Sequence, residues 1–388
     1  EMEVIAQTWS EHCKHKVFSS MIEYQEQGKD SELIDGIFHQ YIAQATRTVR
    51  QAKGSDDYCV SVFLDNAGVI SYDKDCCVAF KVETHNHPSA LEPYGGAGTG
   101  IGGVIRDVLG TGLGARPCFN TDIFCFAPPD WPYDKLPEGV LHPRRILRGV
   151  VSGVRDYGNR MGIPTVSGGI QFDEKFLGNP LVYCGTAGVI PTKRMKKGCR
   201  AGDMLVAIGG RTGRDGLHGA TFSSLDLHKD TPTSTVQIGN PIVEKKVTEA
   251  LVRARDEGLL RDVTDCGAGG FSSAIGEMAK EHGAVVFLEK APLKYSPLED
   301  WEIFLSESQE RMVAAIAPEH FNQLKKICQI EEVEVVSLGQ VTNSHRLVVW
   351  HDGQVVGDLA MSFLHKGVPR QKRKAIWQPK QLPRCEVV

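Results

Sequence analysis

The chain has 388 residues, of which 41% are hydrophobic and 24% charged, a composition that can bury a sizeable core and suits two domains. A formal charge of -4 gives no basic field for nucleic-acid binding, and no apolar stretch approaches the roughly 20 residues that span a bilayer. Nucleic acid and membrane are therefore excluded as expected partners, and a cytoplasmic protein is expected. The eleven cysteines are an odd number with no C-x-x-C pair, so they read as reduced, mostly buried thiols.

Taken in chain order, the sequence opens as Glu-Met-Glu and runs straight into a dense motif, which reads as a fragment whose start lies upstream. That motif, WSEHCKHK over residues 9–16, gathers His12, Cys13 and His15 with Glu11, Lys14 and Lys16. A His-Cys-x-His group is compatible with half of a zinc site. Exposed histidines at a helix start, with Cys13 in the core, are the commoner outcome.

Short apolar runs bounded by turn residues predict strands at 60–64 and 78–82. The second leads into FKVETHNHPSALEPYGGAGTGIGGVIRDVLG, residues 80–110, where Lys81, Glu83, His85 and His87 alternate and are expected on one strand face. A glycine run then opens a helix marked by Ile101, Ile105, Val108 and Leu109. Free N–H groups at such a helix start suit a phosphate. Arg106 could grip that phosphate bidentately and Asp107 could ligate a hard cation. Gly98, Gly100 and Gly103 also satisfy the dinucleotide fingerprint, but THNHPSALEPY separates them from the strand, which argues against a nicotinamide site.

A second helix follows on Ile146, Leu147, Val150, Val151 and Val154, then SGGIQF from Ser167 as a turn and a strand at 181–189. The basic segment PTKRMKKGCRAGD, residues 191–203, is the expected domain junction, its charges read as a solvated connector. The division expected is 1–195, 196–368 and a tail, 369–388, that reads as a linker. The second domain holds a strand at 204–208, GLHGATFSS from Gly216, VQIGNP from Val236 and a helix on Ile242, Val247, Leu251 and Val252. VTDCGAGG from Val263, LSESQER from Leu305 and a hairpin around His351-Asp352-Gly353 complete it. Each glycine motif alone is most simply a cap or turn. Strands and helices together make an α/β (α+β) chain. Serine-hydrolase elbow, Walker loop, kinase and HExxH signatures do not occur.

SEHCKHK, the 80–110 segment, TDCGAGG and SESQER occur in this order in the phosphoribosylformylglycinamidine synthases, which this chain resembles from about residue 8 to about residue 365. The SEHC and THNHP segments separate that family from aminoimidazole ribonucleotide synthetase, selenophosphate synthetase and thiamine monophosphate kinase. The resemblance implies a two-domain synthetase module of the aminoimidazole ribonucleotide synthetase type, its N-terminal domain contributing strands to an interface barrel. It implies that ATP phosphorylates the amide oxygen of formylglycinamide ribonucleotide and that ammonia displaces phosphate to give the amidine. Matched motif by motif, His12 and His85 are catalytic, His85 as proton acceptor. Lys81 matches an ATP contact, and His15 falls where many relatives carry an aromatic one. Glu83, Asp107 and Asp265 match magnesium ligands. Thr84, His85, Asn86, His87, Arg106, Gln237, Glu307, Ser308 and Gln309 match the ribonucleotide site. On this reading His12, Cys13 and His15 are not zinc ligands, and the glycine run is a phosphate loop. The implied cofactors are ATP and Mg2+. The implied partners are a second synthetase module and a glutaminase subunit or domain supplying ammonia. The alternative, a non-catalytic nucleotide-binding scaffold, would need neither a proton acceptor nor Arg106.

Overall fold

The computed structural model describes residues 17–217, 236–367 and 369–378. They fall into two compact units, one of Tyr58–His365 and one of the described residues up to Asp57 with those from Lys366 onward.

In the larger unit, β1 (Cys59–Ser61), β2 (Gly68–Ser71), β3 (Cys76–Thr84), β4 (Arg116–Phe126), β5 (Thr165–Phe172) and β6 (Leu181–Pro191) form one sheet. Its order is β1-β2-β3-β6-β4-β5. The run expected to stay extended to residue 64 stops at Ser61, because Phe63 turns the chain with a φ of 62°. SGGIQF, expected as a turn, lies in β5, an edge strand exposed along its length. Helices α1 (Asn86–Leu91), α2 (Pro93–Leu109) and α3 (Pro143–Met161) follow β3 and β4. Ile101 and Ile105 of α2 and Ile146, Val150 and Met161 of α3 pack with Phe126 and Val182 of the sheet into one dry core. The opposite face of the sheet carries large apolar side chains that are part-exposed among the described residues. Phe80 and Phe119, both in register with Ala187 of β6, lie there with Ile123 and Val189, each 38–45% exposed.

The glycine run lies inside α2 rather than ahead of it, so the expected phosphate loop with free N–H groups is not what these residues form. Pro93 starts the helix, the Glu92 carboxylate caps the Gly95 N–H, and the Gly96 N–H bonds the Glu92 carbonyl at 2.8 Å. The glycines serve close packing. A Cβ on Gly100 would come 2.8 Å from the His85 Cβ, and one on Gly102 would come 2.6 Å from the Tyr157 hydroxyl.

A second sheet of the same unit has the order β8-β10-β7-β11-β9-β12-β13. Here β7 is Met204–Gly209, β8 Leu260–Asp265, β9 Ala284–Phe287, β10 Arg311–Ile316, β11 Val335–Val341, β12 Arg346–His351 and β13 Gln354–Ala360. Helices cover both of its faces. On one, Val247 and Leu251 of α4 (Pro241–Asp256) meet Val206, Ile208 and Ala314. On the other, Phe271 and Ile275 of α5 (Gly270–Met278) meet Leu205, Ala207 and Val313. Burial on both sides explains why β10 reads as an unbroken apolar run after its arginine. Asp352 and Gly353, with φ of 46° and 78°, make the tight turn of the β12–β13 hairpin that the sequence implied.

The basic connector is not simply solvated. Lys197 turns inward, its ammonium 2.7 Å from Asp65 Oδ1 and donating to the carbonyls of Gly110 and Val263 at 2.8 and 3.1 Å. In the smaller unit, strand Met21–Glu26 pairs antiparallel with Glu32–Asp35 and parallel with Lys372–Trp377, and the same unit holds helix Gln44–Lys53. Part of the tail expected as a linker is thus an edge strand, held by backbone pairing that needs no apolar alternation. Among the described residues no helix is long and apolar enough to cross a membrane.

Candidate active site

Lys81 and Glu83 project from the same face of β3 as Cys77 and Ala79, toward α2. The Lys81 ammonium sits 3.0 Å from Glu83 Oε1 and 3.3 Å from Asp107 Oδ2 on α2. Asp265 ends β8 and joins the same cluster, its Oδ1 accepting a 2.7 Å hydrogen bond from Asn66 Nδ2. Burial, reinforced by Asp265 and Glu83, pushes the Asp107 carboxyl well above the usual range. Burial also raises Asp265, with Glu83 adding to it and Arg106 and Lys81 opposing. Burial works against the Lys81 ammonium, but Asp107 and Glu83 more than offset it and hold its pKa above the ordinary lysine value. Three carboxylates crowd one ammonium, an arrangement that attracts a further cation.

Among the described residues no group of three or more His, Cys, Asp or Glu side chains closes into a metal cage.

His85 still faces α2, as Lys81 and Glu83 do, although the strand itself ends at Thr84. It lies at the start of α1 with φ -133° and ψ 59°, and its Nδ1 is 2.5 Å from the Gly96 carbonyl. A carbonyl can only accept, so Nδ1 carries the proton and Nε2 is the basic nitrogen. Burial lowers the pKa of this ring below the usual histidine value, favouring the neutral form. Thr84 ends β3, exposed, and His87 is half-buried in α1. Asn86 Oδ1 accepts the Val182 N–H at 2.8 Å, fastening α1 to β6.

Arg106 departs from expectation. It is 3% exposed, with Nη1 2.8 Å from Glu244 Oε2 of α4 and Nη2 donating to Gln309 Oε1. Each terminal nitrogen thus donates one of its two N–H groups to a protein side chain, and the guanidinium is buried as a brace of the wall rather than presented to open solvent. Gln309 Nε2 donates to the Glu307 carbonyl at 2.9 Å, and Gln237 Nε2 donates to Glu307 Oε2 at 2.9 Å. Ser308 Oγ donates to Asp215 at 2.7 Å and accepts the Gly213 N–H. The structure thus brings Arg106, Gln237, Glu307, Ser308 and Gln309 into one wall. Lys81, Glu83, Asp107 and Asp265 form a second group, linked to the first through consecutive residues of α2. His12 and His15 lie outside the described residues.

Sequence reasoning missed Asn66, Tyr157, Glu244 and Glu310. Asp65-Asn66 before Ala67-Gly68 looks like a turn, and nothing local shows that Asn66 reaches Asp265. Tyr157 hydrogen-bonds Glu244 and Glu310 at 2.6 and 2.9 Å, yet in sequence it is one more residue of an amphipathic helix.

Residues 64–190 match the AIR synthase related protein N-terminal domain, and residues 200–352 match the AIR synthase related protein C-terminal domain. The chain belongs to the AIR synthase related family. It is similar to the phosphoribosylformylglycinamidine synthase subunit PurL of Thermoplasma acidophilum, with 40% identity over 370 residues, 94% of this chain and 45% of that one. Among solved structures it is similar to Thermotoga maritima PurL complexed with FGAR. That match has a TM-score of 0.72 and 31% identity, and covers 97% of this chain and 56% of that one. The same protein complexed with ATP matches with a TM-score of 0.69 and 33% identity, covering 84% of this chain and 50% of that one. The chain spans about half the length of these relatives.

Proposed function

We propose that this chain is one half of a cytoplasmic synthetase that converts formylglycinamide ribonucleotide to formylglycinamidine ribonucleotide, using ATP and ammonia drawn from glutamine. The observation that carries the reading is His85. A neutral imidazole with its basic nitrogen fixed as Nε2 stands beside an acidic cluster and a wall of amide and carboxylate side chains, as acyl-activation chemistry requires. The PurL complexes with FGAR and ATP support the choice of substrate and nucleotide.

In this mechanism the γ-phosphoryl of ATP moves to the amide oxygen, because an amide oxygen is otherwise a poor leaving group. Ammonia adds to the amide carbon, His85 Nε2 accepts the proton released, and the phosphorylated oxygen departs as phosphate. Lys81, with His15, contacts ATP. Thr84, Asn86, His87, Gln237, Glu307, Ser308 and Gln309 hold the ribonucleotide, Arg106 organising their wall from behind, and His12 shares in catalysis. Glu83, Asp107 and Asp265 would hold magnesium, which when bound spreads the charge of the phosphates.

The domain division near residue 195 belongs to this proposal, as does a second synthetase module. The part-exposed apolar side chains of Phe80, Phe119, Ile123 and Val189 support such a partner and the interface barrel it would complete. Ammonia comes from a glutaminase subunit or domain.

The test is phosphate release by the intact protein with ammonium as donor. Release is expected only when ATP, magnesium and ribonucleotide are all present. Nucleotide binding without any ribonucleotide-dependent release would instead favour the scaffold reading. Asn66→Leu removes the donor that orients Asp265 without adding a charge to the acidic cluster. It is expected to weaken Mn2+ binding by about 10- to 100-fold, read by titration without turnover. Unchanged binding would show that Asp265 needs no support from Asn66.

A further inference from the structure

Four elements deliver a buried cluster that neither the acidic group nor His85 explains: Arg106 from α2, Tyr157 from α3, Glu244 from α4 and Glu310 just before β10. The Tyr157 hydroxyl is 2.6 Å from Glu244 Oε2 and 2.9 Å from Glu310 Oε1. A phenol has one proton to donate. If both carboxylates were ionised, one of these contacts would set lone pair against lone pair. Arg106 Nη1 is 2.8 Å from Glu244 but 4.0 Å from Glu310, so a single guanidinium faces two acids. The Asn240 N–H also donates to Glu310 Oε1, at 2.8 Å, while Glu244 Oε1 is buried with no partner. Lys294 and, through Arg106, Asp265 are the further charges that act on the cluster. Burial pushes Glu244 up to about 7 against the pull of Arg106, and burial also raises Glu310.

The backbone supplies an independent sign. Glu310 is buried with a φ of 58°, the left-handed region that long side chains rarely adopt, and it directly follows Glu307, Ser308 and Gln309. The ring that helps hold it cannot retreat, since a Cβ on Gly102 or Gly239 would come within 2.6 or 2.8 Å of Tyr157.

We propose that Tyr157, Glu244 and Glu310 share one extra proton and act as positioning residues, and that this proton locks Arg106 and the Glu307–Gln309 wall in the arrangement that receives the ribonucleotide. The inference rests on the reading of that wall as the ribonucleotide site. Losing the proton leaves two buried carboxylates competing for Arg106, and the strained Glu310 turn is released.

The test follows KM for the ribonucleotide and kcat in the intact protein from about pH 6 to about pH 9, and the thermal midpoint from about pH 4 to about pH 9. The wild type should show KM rising about tenfold on the alkaline side with a smaller change in kcat. Glu310→Gln, whose amide can donate permanently to the phenol oxygen, should flatten that rise, and Glu244→Gln should do the same. Tyr157→Phe should raise KM throughout the range. A flat wild-type KM, or an alkaline rise unchanged in a folded glutamine variant, overturns the proposal. The thermal midpoint separates this failure from failure of the functional reading. A group whose folded pKa is raised contributes stability that is complete below its unfolded value and is lost as pH rises through the folded one. The wild type should therefore lose stability between the usual glutamate range and about 7, and Glu310→Gln should lose less. If the protein converts no ribonucleotide yet this stability difference appears, the shared proton stands and the substrate assignment falls. If the difference is missing, the shared proton itself is wrong.

Discussion

Arg106→Ala should lower the unfolding free energy by about 3–5 kcal/mol, the usual range when one partner of a buried ion pair is removed. Arg106 is 3% exposed and the Glu244 side chain it contacts is fully buried, so water cannot replace the lost charge. Glu310 is also buried, so the negative charge that Glu244 and Glu310 keep would have no counter-cation within the cluster. Arg106→Lys should lose less, because the charge stays while the forked contact to Glu244 and Gln309 does not. Denaturant unfolding with an unchanged m-value checks both variants. A loss under about 1 kcal/mol for the alanine would show that the cluster opens to solvent, contrary to its geometry.

His85→Ala should cut ammonia-dependent synthase activity by about 10²–10⁴-fold, the usual contribution of a positioned general base. The fold should survive, because the ring's polar contact is with a carbonyl inside α2, where the helix has its own bonding pattern. His85→Gln separates packing from chemistry, since an amide can still donate to Gly96 but cannot cycle a proton. Activity within a few-fold of wild type in either variant would remove His85 from the mechanism. Burial lowers the His85 pKa, so the neutral ring persists to lower pH than an ordinary histidine. The acid limb of kcat/KM should therefore fall below the usual histidine value, and move or vanish in the variants.

What the sequence makes legible here is whatever has a local period. Alternation along 78–82 places Lys81 and Glu83 on one face, and their neighbour Asp107 follows from the helical spacing of Ile101, Ile105 and Val108. The alternation carries as far as His85, which still faces α2, and ends before His87, because the chain bends into α1 after Thr84. The glycine run misleads for a different reason. Glycines that admit a phosphate and glycines that admit another backbone look alike until the neighbour is known, and here the neighbours are Pro88, His85 and Tyr157. Asn66 meeting Asp265, and Arg106 meeting Glu244, are contacts between residues more than a hundred positions apart, which no local pattern encodes. Strand Lys372–Trp377 was hidden because an exposed edge strand rich in lysine and arginine carries no apolar alternation.

The glycine-faced contact between α2 and α3 sets how stiffly the chemistry is mounted. Where side chains separate two helices, their relative position can drift as rotamers change. Gly153 of α3 instead lies so close to the Tyr94 carbonyl that a Cβ there would come within 2.3 Å of it. Along this seam backbone rests on backbone where Gly153 meets Tyr94 and Gly98, and the Tyr157 ring fills the next step against Gly102. Arg106 and Asp107 ride on one side of it and Tyr157 on the other, so their spacing is gauged by the main chain itself. A site built this way needs little reorganisation to meet its ligand, and it gains that readiness by giving up freedom to vary at the seam.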